Sequence, residues 1–272
     1  MSKKGLSLTV AFSFYLLEIK KVLSYRVEFW LGFVGNILTQ FGAAYFLWKA
    51  IFMARGVISL QGYSFGALML YYLLVPLVER CVNGQEGGFM SGEIYDGGLS
   101  RYLLYPISYF KIKYVGQLAQ STIYFFQLIL GIVIFLWVFQ TPFNLTPISI
   151  FKTLPVMVAA GLLHFTLFLN LEMIAFWADN VWSILVMNRM VTNLLGGGLV
   201  PLAFFPNQLQ AILEYLPFMR LVAFPIHCLL GQVGLNEWLK GMGLTLLWAG
   251  IFALTASWLW RQGLRTYSGV GI

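Results

Sequence analysis

The sequence predicts an all-α membrane protein, and three observations predict it. Hydrophobic residues fill 60% of the 272 positions and charged residues only 10%, against roughly 25% charged in a soluble globular domain. Such a chain has too little polar surface to cover itself in water. Mean hydropathy is +0.80, and its apolar runs reach the ~20 residues that cross a bilayer as a helix. Aromatic residues reach 17%, with 9 Trp and 14 Tyr, the types that settle at the lipid–water interface. The expected architecture is six transmembrane helices. An N-terminal interfacial helix precedes them, a helical loop joins the second and third, and a re-entrant helical segment follows the fifth. The net charge of +7 suits loops lying on an anionic leaflet and membrane lipids as partners. No basic cluster interleaved with aromatics points to nucleic acid.

Residues 1–26 open with Lys3 and Lys4, and their apolar part is too short to span. Glu18, Lys20 and Lys21 end that run without a small-x-small cleavage site, so the segment is expected to stay on the chain as an interfacial helix. Residues 27–82 hold two spans, about Val27–Ala54 and Tyr63–Val82, turned by Arg55, Gly56 and Gly62. Residues 83–113 form a polar loop, with Gly84, Gly87 and Gly88 as a flexible entry. Residues 114–203 hold spans three to five. Gln140, Thr141, Pro142, Asn144 and Pro147 turn the chain after span three. Asp179–Asn180 then joins spans four (about Leu154–Ala178) and five (Val181–Ala203) as a tight hairpin.

Within 204–237, Pro206, Pro217 and Pro225 cut an apolar stretch into pieces too short to span, Asn207–Tyr215 and Phe218–Leu230. Irregular backbone at membrane depth must be buried in protein or line a cavity, so two short re-entrant helices are expected there. Residues 238–260 are the sixth span and 261–272 the tail. The N-terminal side collects Lys3, Lys4, Lys20, Lys21, Arg26, Arg80, Arg101, Lys111, Lys113, Arg261 and Arg265. The other side has Lys49, Arg55, Lys152, Arg220 and Lys240. The positive-inside rule therefore places both termini and the 83–113 loop in the cytoplasm.

Several chemistries lack their motif. No Gly-Lys pair occurs, so there is no P-loop for ATP. His164 and His227 stand apart without ligand spacing, and no G-x-S-x-G nucleophile is present. An enzyme is disfavoured, and no cofactor or metal is expected on this chain. Cys81 and Cys228 fall on opposite sides of the membrane, too far apart for a disulfide.

Polar features inside the spans stand out more. Glu172 and Arg189 sit within spans four and five, each a few residues from the Asp179–Asn180 turn. At that spacing they reach similar depth and pair, either as a fold-stabilising ion pair or as part of a gate. Arg189, Asn193, Gly196, Gly197 and Val200 share one face at helical spacing, polar and small, suited to a cavity or a close helix partner. In the loop, a helical projection of Glu93–Tyr105 puts Glu93, Asp96, Ser100 and Arg101 on one side. Ile94, Tyr95, Leu99, Tyr102, Leu103 and Tyr105 fill the other, with Leu104 the exception. Gly97 and Gly98 would weaken one continuous helix by ~1 kcal/mol each, so two short pieces with a break are expected.

The loop reads E-I-Y-D-G-G-L-S-R-Y-L-L-Y-P-I from Glu93. The stretch after span five reads V-P-L-A-F-F-P-N-Q-L-Q-A-I-L-E-Y-L-P-F, followed by Phe224-Pro225, and the tail holds G-L-R-T-Y-S-G. In this order and spacing, over nearly the whole chain, the sequence resembles an ABC-2 type transport permease, the membrane subunit of an ATP-binding-cassette exporter, in its bacterial six-span branch. The resemblance implies export across the cell (inner) membrane by a dimer with a second six-span permease, identical or paralogous. Two copies of a separate ABC ATPase, which bind the ATP and Mg, would drive it. It implies that Glu93, Ile94, Asp96, Leu99, Arg101, Tyr102 and Leu103 couple to that ATPase. Asn193, Gly196 and Gly197 would line the substrate path or dimer interface, and Pro206, Pro217 and Phe218 an outer gate. Lipid-linked glycans, lipids, peptides and drugs all remain open as cargo. The competing expectation is a secondary transporter or channel without an ATPase, which predicts internal repeats.

Overall fold

The computed structural model describes residues 8–24, 26–84, 89–139 and 146–269. Lys3, Lys4, Gly87, Gly88 and the turn residues 140–144 lie outside them. Helix α1 (Leu8–Ser24) lies along α6 (Tyr109–Phe139), tied by Tyr15 Oη donating to Thr122 Oγ1 at 2.9 Å. Helix α2 (Arg26–Arg55) leads into a two-stranded hairpin, β1 (Ser59–Leu60) and β2 (Tyr63–Ser64), that the sequence did not announce. Its turn residues Gln61 and Gly62 have φ of 48° and 82°, the left-handed pair that a two-residue hairpin needs.

Ser64 then caps α3 (Phe65–Asn83), accepting from Ala67 N–H at 3.2 Å. Helix α3 is the centre of the molecule. Leu68, Met69, Tyr71, Leu74, Val78 and Val82 are buried along it, and it packs on α2, α6 and α7 (Pro147–Glu172). Gly131 on α6 permits one of these approaches, since a Cβ there would stand 2.7 Å from Leu77 Cδ1. One amide fastens three backbones: Gln117 Nε2 on α6 donates to Val82 O on α3 (3.0 Å) and Gly161 O on α7 (2.9 Å).

Among the described residues, five helical stretches are long and apolar enough to cross a membrane: Phe29–Arg55, Phe65–Asn83, Tyr109–Val138, Pro147–Phe176 and Leu235–Thr266. Several boundaries differ from expectation, and the third stretch starts at Tyr109, inside the expected 83–113 loop. The fourth stretch starts at Pro147, not Leu154, because Thr146 caps it through Ser149 N–H and proline suits a first helical position. Its last turn is a 3-10 segment, Met173–Phe176. The final helix, α12, runs Leu235–Thr266, beyond both expected ends.

The expected fifth span is the main correction. Helix α8 covers only Trp182–Leu195, ~21 Å at 1.5 Å per residue against a ~30 Å hydrocarbon core. It stops where Gly197 adopts φ 90°, a conformation open to glycine at little cost. The face projected from Arg189 to Val200 therefore ends at Leu195, and Gly196, Gly197 and Val200 leave the helix. Nor do α7 and α8 form a tight hairpin. Helix α7 packs chiefly on α12, while α8 buries no residue and leans on α10 (Pro217–Leu221).

After α8 the chain is irregular through Pro201 and a 3-10 turn, Leu202–Phe204. Short helices α9 (Asn207–Leu213), α10 and α11 (Ala223–Leu229) follow. The expected second piece, Phe218–Leu230, is split at Val222 (φ −123°, ψ −71°). Pro225 accounts for the break, because its ring cannot tolerate the carbonyl four residues earlier, at Leu221. The irregular backbone is satisfied from α3: Tyr71 Oη donates to Gly197 O at 2.9 Å and Tyr72 Oη to Leu199 O at 2.8 Å. Tyr71→Phe leaves the Gly197 carbonyl buried without its donor. It is expected to cost ~1–3 kcal/mol and to lower the unfolding midpoint of the purified protein in detergent; an unchanged midpoint would show that this bond does not hold the turn.

Candidate functional site

The break after α8 leaves a cavity of about 420 Å³ between α2, α3, α7 and α8. Its wall is built from helical stripes. Gly32, Asn36 and Gln40 recur at four-residue steps on α2. Pro76, Glu79, Arg80 and Asn83 follow the i, i+3, i+4, i+7 rule on α3, and Arg189, Thr192 and Asn193 do so on α8. Helix α7 supplies His164 and Phe168, and Leu221 and Val222 close one end.

The polar groups there are poorly matched to one another. Arg80 contacts Gln127 Oε1 at 3.4 Å and lies 5.2 Å from the Tyr124 ring centroid. Arg189 makes no hydrogen bond or ion pair among the described residues, and its charge acts on Glu79. Glu79 Oε1, His164 Nδ1 and Thr192 Oγ1 are buried with no hydrogen-bond partner among the described residues. Asn36 and Gln40 bond each other at 2.7 Å.

A second assembly sits at the end of the bundle where α3 gives way to α6. Helices α4 (Phe89–Tyr95) and α5 (Leu99–Leu104) are separated at Asp96–Gly98, with Gly97 at φ 70°. Helix α4 is clamped to the bundle. Met90 N–H donates to Glu172 Oε2 at 2.8 Å, and Tyr95 Oη donates to Ala178 O at 3.0 Å. Partial burial raises the Tyr95 pKa, keeping that phenol a donor. Glu93 accepts from Tyr109 Oη at 2.5 Å and Lys113 Nζ at 2.6 Å. The Lys113 ammonium in turn lies 4.8 Å from the Tyr102 ring, 5.4 Å from Tyr109 and 5.8 Å from Phe89. Helix α4 packs against the 3-10 turn Met173–Phe176, which leads into α8.

The structure divides the residues singled out in the sequence. Ile94 and Leu99 are buried, Glu93 points at Lys113, and Tyr102 and Leu103 are half-buried. Asp96 and Arg101 are exposed beside Leu104, Tyr105 and Pro106. Leu104, the misfit of the helical projection, is 85% exposed, so it lies on the outward face with the charges. Glu172 and Arg189 are not brought together in one cavity. Glu172 lines a small cavity of about 50 Å³ with Met90, Lys113 and Gln117, while Arg189 lines the large one together with Glu79. His164 borders both cavities.

Asn193 lines the large cavity, whereas Gly196 and Gly197 lie at the turn above it. A Cβ at Gly196 would meet Phe218 O at 2.8 Å, and one at Gly197 would meet Tyr71 Oη at 2.9 Å. Pro206 and Pro217 start α9 and α10. Sequence reasoning missed Glu79, which falls near the inner end of the expected second span (about Tyr63–Val82), and the Gly32-Asn36-Gln40 stripe, whose regular spacing within an apolar span was a readable signal. No group of three or more His, Cys, Asp or Glu side chains that could hold a metal forms among the described residues.

The family model described as "ABC-2 family transporter protein" matches residues 38–271. No curated protein and no solved structure matches the chain.

The α4 clamp is open to measurement. Glu93→Gln removes the charge shared by Lys113 and Tyr109, a charge-assisted pair of bonds. Amide exchange across residues 90–104 is expected to rise about tenfold, for ~1.4 kcal/mol of local stability. Exchange at the wild-type rate would mean that α4 is held by packing without this pair.

Proposed function

The chain belongs to the ABC-2 family of transporter proteins, and from that premise we propose that it is the permease subunit of an ABC-type exporter. It forms the substrate pathway as a dimer with a second permease. A separate ATPase, binding the ATP and Mg, docks on α4 and α5. In this reading the α4–α5 end, with both termini, faces the cytoplasm at the cell membrane. Helix α8 with the irregular stretch after it counts as a broken sixth crossing. Helices α9 to α11 are the re-entrant segment, in which Pro206, Pro217 and Phe218 shape an outer gate.

The observation that carries the reading is the two-sided build of α4–α5. Its inner side is fastened by Glu93, Ile94, Leu99, Met90 and Tyr95. Its outer side exposes Asp96, Leu104 and Arg101, the last over the Tyr102 ring at 5.3 Å. A partner that binds this outer side differently with and without ATP would bias the position of α4. Helix α4 rests on the turn that leads into α8, and α8 carries Arg189, Thr192 and Asn193 along the cavity. Nucleotide state and cavity shape are then coupled through one short, packed route. Tyr102 and Leu103 flank the outward residues and complete the coupling surface.

The dimer reading rests on α8. Helix α8 buries no residue within the protomer, and a helix that carries polar side chains along one flank is costly to leave against lipid. A second permease against α8 removes that cost.

The test is co-purification of tagged permease with its ATPase. Asp96→Lys, Arg101→Glu and Leu104→Asp are each expected to weaken capture about tenfold while membrane insertion is unchanged. Glu93→Lys, aimed at the inward clamp, is expected to impair transport more than capture. Undiminished capture by all three outward variants would overturn the docking assignment.

A further inference from the structure

The cavity contains more unmatched polar groups than the fold requires. Arg189 presents a guanidinium with no bond to any described residue. Arg80 has one long amide contact and the face of Tyr124, which leaves most of its donors unused. Opposite them stands the Glu79 carboxylate with Oε1 unpaired. His164, only 5% exposed, borders the space with its buried Nδ1 unpaired among the described residues. A buried polar atom left unpaired costs ~1–3 kcal/mol, so this arrangement suits a cavity that is filled from outside by complementary groups.

The charges indicate which groups. Two guanidiniums face one carboxylate, so the cavity favours an anion. Guanidinium forks match the oxygens of phosphate in paired bonds. Glu79 still needs a donor close to that anion. Size and place narrow the occupant further. About 420 Å³ lies in the range of small-molecule sites and holds a headgroup, not a two-chain lipid. Glu79, Arg80 and Asn83 lie in the last turns of α3, at one end of a helix long enough to cross a membrane, the end that meets a leaflet's headgroups if α3 spans. Leu31 and Leu38 on α2 and Met187 and Met190 on α8, the two helices that carry cavity-lining stripes, are exposed, apolar surface available to acyl chains.

We propose, building on the export reading above, that this cavity binds the headgroup of an amphiphile that carries a phosphate-type anion beside a hydrogen-bond donor. Arg189 and Arg80 take the anion, Glu79 takes the donor, and His164 and Thr192 complete the shell. A phosphoethanolamine group has this chemistry, either on a lipid or free.

Native mass spectrometry of the full-length protein in detergent tests the assignment. The probes are phosphatidylethanolamine, phosphatidylcholine, diacylglycerol and free phosphoethanolamine. Phosphatidylethanolamine is expected to bind. Phosphatidylcholine, which has no donor for Glu79, should bind about tenfold more weakly, and diacylglycerol should not bind. Arg189→Gln should weaken phosphatidylethanolamine about tenfold, and Glu79→Gln should erase its advantage over phosphatidylcholine. Arg189 makes no bond among the described residues, so its variant should elute as the wild type does; Asn193→Leu, which narrows the same wall, is the independent second variant. Free phosphoethanolamine binding as tightly as the lipid would support the headgroup chemistry and assign a soluble ligand. Diacylglycerol binding as well as the phospholipids, or wild-type affinity in all three variants, would overturn the site. Capture of the ATPase is read in the same preparations. Lost headgroup binding with ATPase capture intact separates the fate of this site from that of the export reading.

Discussion

Everything distinctive in this molecule follows from a short run of backbone that is not helical where a helix would be cheapest. In hydrocarbon an unpaired carbonyl has no water to turn to, so a chain that leaves the helix must find donors in protein. Gly197 and Leu199 find theirs in Tyr71 and Tyr72, neighbours on α3. The glycines make the approach possible: Gly196 admits the Phe218 carbonyl, and Gly198 lies against Glu79 Oε1. Because the turn is tied to α3, α8 ends early and stands away from α7. The space it leaves is the polar cavity. One backbone constraint therefore fixes the length of α8, the seat of α10 and the position of Arg189 relative to Glu79.

Gln117 plays the matching part lower in the bundle. Its amide holds α3, α6 and α7 at one level, next to the small cavity where Glu172 and Lys113 meet the start of α4. A polar side chain in lipid must be satisfied, and a satisfied one makes a directional tie that apolar packing does not supply. The clamps on α4 thus rest on a frame fixed by hydrogen bonds. His164 borders both cavities. Two contiguous routes of contact therefore join α4 to the large cavity, one through the turn into α8 and one past His164.

Much of this was legible in the sequence, for identifiable reasons. Spans one to four and six announce themselves because a membrane leaves little choice of residue over ~20 positions. The split at Gly97–Gly98 was readable because glycine pairs weaken a helix wherever they occur. The fifth span was misread because an apolar run has the same composition whether it is a straight helix or a broken one. Only the positions that receive Tyr71 and Tyr72 tell them apart, and those lie 126 and 127 residues away. Glu172 and Arg189 line different cavities for a related reason. Closeness to a shared turn fixes depth but not direction, and α8 leans toward α10 and away from α7. Glu79 was overlooked because a charge near a span end has an ordinary explanation in the headgroups. Its significance comes from Arg189 across the cavity, a relation between helices that no single helix displays.

Leu104 shows how a violation of pattern carries information. A leucine 85% exposed among Asp96 and Arg101, on a segment outside the long apolar helices, has no use in the protomer. Surface leucines are common enough taken singly, but this one crowns a helix pair whose other apolar side chains are packed inward. The interior anchors of α4 and α5 are bonds that resist displacement, and the exterior offers one apolar contact ringed by charge. That is the usual anatomy of a small interface, an apolar centre with a polar rim. The same segment that the sequence marks as out of place in a membrane protein is, in the function proposed above, the part that a partner pushes.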